Sequence, residues 1–308
     1  MKLTVHIAPR NERGLELKNP VIAASGTIGY GTEYAELVDI ERLGAIVSKG
    51  TTLKPRAGNP QPRLCETASG LLNSVGLENK GVEAVIAEEA PVWAAWDVPV
   101  LVNIAGDSVD EYAELAYALD SVEGVSGIEV NISCPNVARG GMEFGTSPRD
   151  AAEVTKAAKG HTTLPVVVKL TPNVTDIAEI ARAVEEAGAD AISLVNTLRG
   201  MAIDVGARKP FLGGVTGGLS GPAIKPVALY MVYQVARAVK VPVIGGGGII
   251  SASDALEFIM AGASAFWVST GVLVDPEAPL RVLDGVIDFM EREGVEDIAG
   301  LVGAAASA

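Results

Sequence analysis

Six consecutive residues, Asn131-Ile132-Ser133-Cys134-Pro135-Asn136, bring amides, a hydroxyl and a thiol together at a spacing that could do chemistry. They follow the short apolar run Gly127-Ile128-Glu129-Val130, which reads as a buried strand. Asn131 therefore falls at the carboxyl end of that strand and Cys134 on the loop beyond it. In a barrel of parallel strands that end carries the chemistry. A thiol flanked by amides and followed by a rigid proline could take a proton from a carbon while the amides hold a planar ring. The same residues also suit an ordinary strand-to-helix turn with an idle cysteine, because free Cys is among the most buried residue types.

The last residues of the other apolar runs add Ser25, Lys49, Asn103, Lys169, Val195-Asn196, Gly245 to Gly248, and Ser269-Thr270-Gly271. On one barrel mouth these would converge. Two lysines, several amides and two glycine-rich turns, with no carboxylate among them, suit an anionic ligand rich in hydrogen-bonding groups. Lys169, at the end of Pro165-Val166-Val167-Val168-Lys169-Leu170, is expected to point into the mouth. There it needs a negative partner; the plain alternative is a snorkelling surface lysine. Lys49 follows the same logic.

Gly245 to Gly248 and Ser269-Thr270-Gly271 stand after the seventh and eighth runs, where barrels bind phosphate through unhindered backbone N–H groups. A run of glycines also makes a plain tight turn. Neither segment has the G-x-G-x-x-G spacing of a Rossmann site. A phosphate-bearing cofactor with lysines beside a planar ring suggests FMN. Asn73-Ser74-Val75-Gly76-Leu77 is either a loop with a tight turn or a set of amides that closes over a substrate, and Val137 to Gly145, glycine-rich and following Cys134, suits a lid.

These residues need a scaffold that aligns strand ends. Eight continuous apolar runs recur along the chain: 21–24, 45–48, 99–103, 127–131, 165–170, 191–195, 241–245 and 265–268. Continuous rather than alternating runs are expected of parallel strands buried on both faces. Amphipathic stretches at 108–119, 176–187, 225–239 and 253–261 separate several of them, with helix starts at Thr175-Asp176 and Ser253-Asp254 and caps at Gly188 and Gly262. Eight βα units predict an α/β chain folded as a (β/α)8 TIM barrel, with an open doubly wound sheet as the alternative. An amino-terminal hairpin (Leu3 to Ile7, then Leu15 to Leu17) would cap the barrel bottom, and residues 54–77 form a long insertion after strand two. No linker interrupts the pattern, so residues 1–308 are expected to form a single domain.

The chain has 308 residues, 48% of them hydrophobic and 20% charged, which suits a soluble enzyme with a sizeable core. A net charge of −14 argues against a sequence-independent nucleic-acid binder and against an acidic membrane surface. Local cations and backbone amides still leave room for an anionic cofactor. Two cysteines and two histidines, His6 and His161, form no metal-ligand pattern, so no metal is expected. The opening residues read as a strand rather than a signal peptide, and 258–274 is broken by Gly and Ser rather than being a membrane span. A cytoplasmic location is the expectation.

With these motifs in place, the chain closely resembles the dihydroorotate dehydrogenases, flavoproteins of pyrimidine synthesis. The resemblance rests on Asn19-Pro20, Ala24-Ser25-Gly26, Ser48 to Thr52, Pro55-Arg56, Gly58-Asn59-Pro60, NSVGLENKG (Asn73 to Gly81), NISCPN, VVVKLTPN (Val166 to Asn173), Val195-Asn196-Thr197, LSGPAIKP (Leu219 to Pro226) and GGGGI. Cys134 resembles the catalytic base of the soluble class 1; the membrane-attached class has Ser there and an amino-terminal apolar helix. NSVGLENKG and the opening strand are most similar to the NAD-linked type B catalytic subunit, with the fumarate-linked type A homodimer as the alternative.

The resemblance implies FMN contacts at Ser25, Lys49, Gly50, Asn103, Asn131, Lys169, Val195, Gly221, Gly247, Gly248, Ser269 and Thr270. It implies substrate contacts at Lys49, Asn73, Ser74, Val75, Gly76, Leu77, Asn131, Asn196 and Thr197. Ser269-Thr270 departs from the Gly-Thr common in the family, and the loop is still expected to offer amides to the phosphate. The implied reaction oxidises (S)-dihydroorotate to orotate in UMP biosynthesis. Electrons would pass to NAD through a separate FAD and iron–sulfur subunit, in a heterotetramer built on a homodimer core. No four-cysteine cluster pattern is present in this chain to carry them. More distant alternatives are a dihydrouridine synthase, whose RNA substrate fits poorly with the negative charge, and a non-redox barrel: an isomerase, an aldolase using Lys169, or a pure binding barrel.

Overall fold

In the computed structural model, which describes residues 1–133, 135–136 and 142–307, all eight expected runs are strands of one closed parallel barrel. They are β1 (Val21–Ala23), β2 (Ala45–Val47), β3 (Val100–Ile104), β4 (Gly127–Asn131), β5 (Val166–Lys169), β6 (Ala191–Leu194), β7 (Val243–Gly245) and β8 (Ala265–Val268). Nearly every residue in them is buried, because strands covered on both faces leave no side for water. Closure rules out the open sheet: β8 pairs with β1, setting Trp267 beside Ile22, and β4 pairs with β5, setting Asn131 beside Lys169. Asn103 lies beside Glu129 and Lys169 beside Ser193.

Among the described residues, six longer helices cover the barrel: α1 (Val109–Leu119), α2 (Pro148–Lys159), α3 (Ile177–Glu186), α4 (Lys225–Ala238), α5 (Ala252–Ala261) and α6 (Ala278–Glu293). Their starts are written locally. Ser108 accepts from the Glu111 N–H, Ser147 from Asp150, and Asp176 from Ala178 and Glu179, satisfying donors that have no partner in the first turn. Gly262 closes α5 in the left-handed conformation at φ +119°. Along α6, Leu280, Leu283, Val286 and Met290 form the buried stripe, each contributing about 1.5–3 kcal/mol by leaving water.

The start of α5 differs from expectation. Its cap is Ser251 rather than Ser253, because Ser251 and Asp254 hydrogen-bond each other reciprocally and so close a capping box. The first crossover also departs from a strict βα repeat. Residues 24–44 run through turns and one short 3-10 turn, Ile40–Arg42, in place of an α-helix; Gly26, Gly29 and Gly31 give this stretch poor helix propensity.

Two additions close the ends. Val5–His6 pairs antiparallel with Glu16–Leu17. Residues of this hairpin share a hollow with Pro99, Val125, Ser126 and Leu164, which precede β3, β4 and β5, so the hairpin caps the amino-terminal end of the barrel. At the other end the insertion after β2 forms Leu64–Thr67 and Gly70–Asn73. These join Gly217–Ser220 and Leu198–Gly200, from the crossover after β6, in a four-stranded antiparallel sheet.

Candidate active site

A cleft of about 890 Å³ opens at the carboxyl ends of the barrel strands, beneath the four-stranded sheet. This lies within the roughly 300–1,000 Å³ usual for small-molecule sites. The strands themselves supply its floor. Ser25 follows β1, Lys49 and Gly50 follow β2, Asn103 lies near the end of β3, and Asn131 and Lys169 end β4 and β5. Val195, Asn196 and Thr197 follow β6, Gly247 and Gly248 follow β7, and Ser269 and Thr270 follow β8. Gly221 and the run Asn73, Ser74, Val75, Gly76 and Leu77 come from the inserted segments and also line it. The structure thus brings together every expected contact residue it describes. Cys134 and residues 137–141 of the expected lid lie outside the described residues.

One wall is a chain of amides. Asn196 Nδ2 donates to Asn131 Oδ1 at 3.2 Å and to Ser133 Oγ at 2.9 Å, linking the ends of β6 and β4. The Asn131 carbonyl accepts from the Tyr112 hydroxyl of α1 at 2.7 Å, and the Tyr112 ring meets Phe144 edge-on at 5.7 Å. Asn73 is oriented from the sheet, donating to the Gly218 carbonyl at 3.2 Å. Each amide is thereby held by a partner on another element, which fixes where its remaining donor or acceptor points.

Opposite, the glycine turns form a cradle. Gly248 has φ +87°, and a Cβ there would lie 2.8 Å from the Gly221 carbonyl oxygen, so only glycine lets these backbones approach. Thr270 Oγ1 donates to Ser220 Oγ at 2.8 Å across the same corner. Behind the cradle Lys225, at the start of α4, pairs with Asp254 of α5 at 2.7 Å and with Glu257 at 2.9 Å. Burial acts to raise the Asp254 carboxyl, but hydrogen bonds from Lys225, the Ile250 N–H and Ser251 outweigh it and hold the group below its ordinary value. Asp254 and Glu257 hold the Lys225 ammonium above its ordinary value.

Beneath the strand-end residues the floor holds the negative partner that Lys169 requires. A carboxylate lies under the mouth: Glu129, 1% exposed, is held within β4. Its Oε2 accepts from Asn103 Nδ2 at 2.6 Å and lies 3.5 Å from Lys169 Nζ, and its Oε1 accepts from Ser193 Oγ at 2.9 Å. Lys169 is itself buried, so it is no surface lysine; it donates to Ser25 Oγ at 3.1 Å and lies over the Trp267 ring at 4.5 Å. Glu129 stands two residues before Asn131. On a strand that spacing places both side chains on one face, which was the signal available in the sequence. Arg56, Arg63, Ser133, Ser220 and Trp267 are further lining residues that strand-end positions alone did not single out.

A buried cation beside hydrogen-bonding amides, facing a glycine cradle open to a phosphate, fits a phosphate-bearing planar cofactor. Among the described residues no His, Cys, Asp and Glu cluster is placed to hold a metal ion. Among the same residues no helix is long and apolar enough to cross a membrane.

The family model for dihydroorotate dehydrogenase matches residues 9–290. The chain is 56% identical over 302 residues, 98% of each chain, to the protein of Pelobacter propionicus named dihydroorotate dehydrogenase B (NAD(+)), catalytic subunit. It is 58% identical over 291 residues to the protein of the same name from Desulforamulus reducens, covering 94% of this chain and 96% of the relative. The counterpart from Trichlorobacter lovleyi is 56% identical over 290 residues, 94% of this chain and 95% of that one. With the barrel closed and the expected motifs gathered at its mouth, a match of this length shows that the chain belongs to the dihydroorotate dehydrogenase family.

Proposed function

We propose that this chain binds FMN across the barrel mouth and oxidises (S)-dihydroorotate to orotate, the redox step of pyrimidine biosynthesis. The observation that carries the assignment is the convergence, on one cleft, of Lys169, Lys49, the amides Asn73, Asn103, Asn131 and Asn196, and the glycine turns. The Gly247-Gly248 and Ser269-Thr270 backbones, with Gly221, would hold the phosphate; Ser25, Lys49, Gly50, Asn103, Asn131, Lys169 and Val195 would hold the ring. Bound there, FMN would supply a two-electron acceptor for the hydride that leaves C6 of the substrate.

The chain's own residues do the rest. Cys134, three residues beyond Asn131, accepts the proton from C5 as general base. Lys49, on the cleft lining, pairs with the substrate carboxylate or the flavin edge, and Asn73 through Leu77, Asn131, Asn196 and Thr197 orient the pyrimidine edges. Lys169 stabilises negative charge that gathers on the ring. The four-stranded sheet roofs the cleft and limits water.

The relatives' names include NAD(+) and a catalytic subunit. On that basis we place this chain, a single domain over 1–308, as the catalytic subunit of an NAD-linked enzyme, paired as a homodimer core with an FAD and iron–sulfur subunit that carries the electrons onward. Anaerobic mixing of the purified chain with dihydroorotate, watched through the flavin absorbance, tests this. Bleaching that fumarate leaves unreversed, and that NAD reverses only with the second subunit added, is the expected result. Recovery with fumarate alone moves the assignment to the fumarate-linked type, and a chain that stays colourless with added FMN overturns the flavoenzyme itself.

A further inference from the structure

Glu129, the buried carboxylate under the strand ends, has no place in the reaction as described, yet it touches much of the floor. Glu129 is 1% exposed and not in the lining of the cleft. Its Oε2 takes the Nδ2 donor of Asn103 at 2.6 Å, lies 3.5 Å from the Lys169 ammonium, and is 3.5 Å from the Ser25 hydroxyl, while Ser193 secures Oε1 at 2.9 Å. Three of its four partners, Asn103, Lys169 and Ser25, line the cleft.

Two consequences follow from acceptor chemistry and charge. A carboxylate accepts and cannot donate, so it selects the orientation of Asn103 in which Nδ2 turns down to Glu129 and Oδ1 is left as an acceptor beside Gly50. The ion pair also leaves Lys169 with less positive potential to offer the cleft than an unpaired lysine would have. Stability alone is a poor reason for such a pair, because buried ion pairs often exchange for apolar residues without loss.

We propose that Glu129 is a positioning residue for the cofactor floor: acting through Lys169 and Asn103, it sets how strongly the cleft stabilises negative charge on the bound ring, and hence the reduction potential. The proposal rests on the cleft being an FMN site.

The test is a cycle of potentials, measured by equilibration with a redox dye on the FMN-loaded chain and on Glu129→Gln, Lys169→Met and the double variant. Glu129→Gln is expected to move the oxidised-to-reduced ratio toward reduced at least tenfold at a fixed ambient potential, which for two electrons is about 29.6 mV. Lys169→Met should move it the other way, because the unpaired carboxylate then opposes negative charge. The double variant should return to within about threefold of the parent, since it removes both charges. Coincident potentials for the parent and Glu129→Gln overturn the proposal. Should Glu129→Gln not fold, Lys169→Met against the double variant decides alone: a tenfold difference supports the proposal and coincidence overturns it. A parent chain that takes up no FMN overturns the flavin assignment, and this proposal with it; a loaded parent with coincident potentials overturns only the role of Glu129.

Discussion

Replacing Asp254 by Asn tests whether the ion pair behind the glycine cradle acts as the structure implies. The carboxylate accepts from Lys225 Nζ at 2.7 Å, from the Ile250 and Ser251 N–H groups at 3.1 and 2.9 Å, and from the Ser251 hydroxyl at 2.8 Å. Asn keeps one acceptor for the helix cap, so what disappears is the ionic share of these contacts. A hydrogen bond to a charged group contributes about 1.5–3 kcal/mol against about 0.5–1.5 for a neutral one. Glu257, with its side chain 42% exposed, still neutralises Lys225 but only at the strength of a surface pair, about 0–1 kcal/mol. The expected loss at pH 7 is therefore about 1–2 kcal/mol.

Its pH dependence has a definite sign. The folded-state value of Asp254 is depressed below the ordinary 3.8, so its contribution is fully present above pH 3.8 and is lost as pH falls through the folded-state value. Lys225 is raised above 10.5, so its share is fully present below pH 10.5 and is lost as pH rises through its folded-state value. Urea unfolding of both proteins, followed by tryptophan fluorescence at pH 7, 5 and 3, measures the gap. It should be equal at pH 7 and 5 and narrow toward pH 3. A gap under about 0.5 kcal/mol at pH 7, ordinary for an inconsequential surface change, refutes the reasoning, as does a gap undiminished at pH 3.

Cys134→Ala should retain the flavin spectrum and dihydroorotate binding while turnover falls about 10²- to 10⁴-fold, measured by stopped-flow bleaching. Gly248→Ala should lose FMN occupancy after purification, read as the ratio of flavin to protein absorbance, because φ +87° strains an L-residue and its Cβ meets the Gly221 carbonyl at 2.8 Å. Asn196→Ala removes the bridge to Asn131 and Ser133. It should lower kcat/KM for dihydroorotate roughly 5- to 150-fold, the equivalent of about 1–3 kcal/mol, with flavin content unchanged.

Much of this molecule is legible from local pattern, and the particular residues show why. The β5 strand is plain in Val166 to Lys169 because a strand buried on both faces must be apolar throughout, so the exception, Lys169, marks the mouth. The Asp176 cap and the Gly262 stop are plain because each satisfies backbone groups of its own turn. Ser251 against Ser253 was not decidable by type, since both are good caps and only the reciprocal bond with Asp254 selects one. Glu129 passed as part of an apolar run because its partners Asn103, Lys169 and Ser193 lie 26, 40 and 64 residues away.

The amino-acid sequence by itself determined much of the inventory: the eight barrel strands, the residue type at each strand end, and helix boundaries such as Asp176 and Gly262. These depend on short-range sterics, hydrogen bonding and the period of burial. The tertiary structure alone decided that residues 64–73 and 198–220 join as one sheet over the mouth, and that a carboxylate sits beneath the cation at its floor. Both arise from closing the barrel, which sets side chains distant in the chain within hydrogen-bonding reach, and no local preference encodes which distant partners will meet.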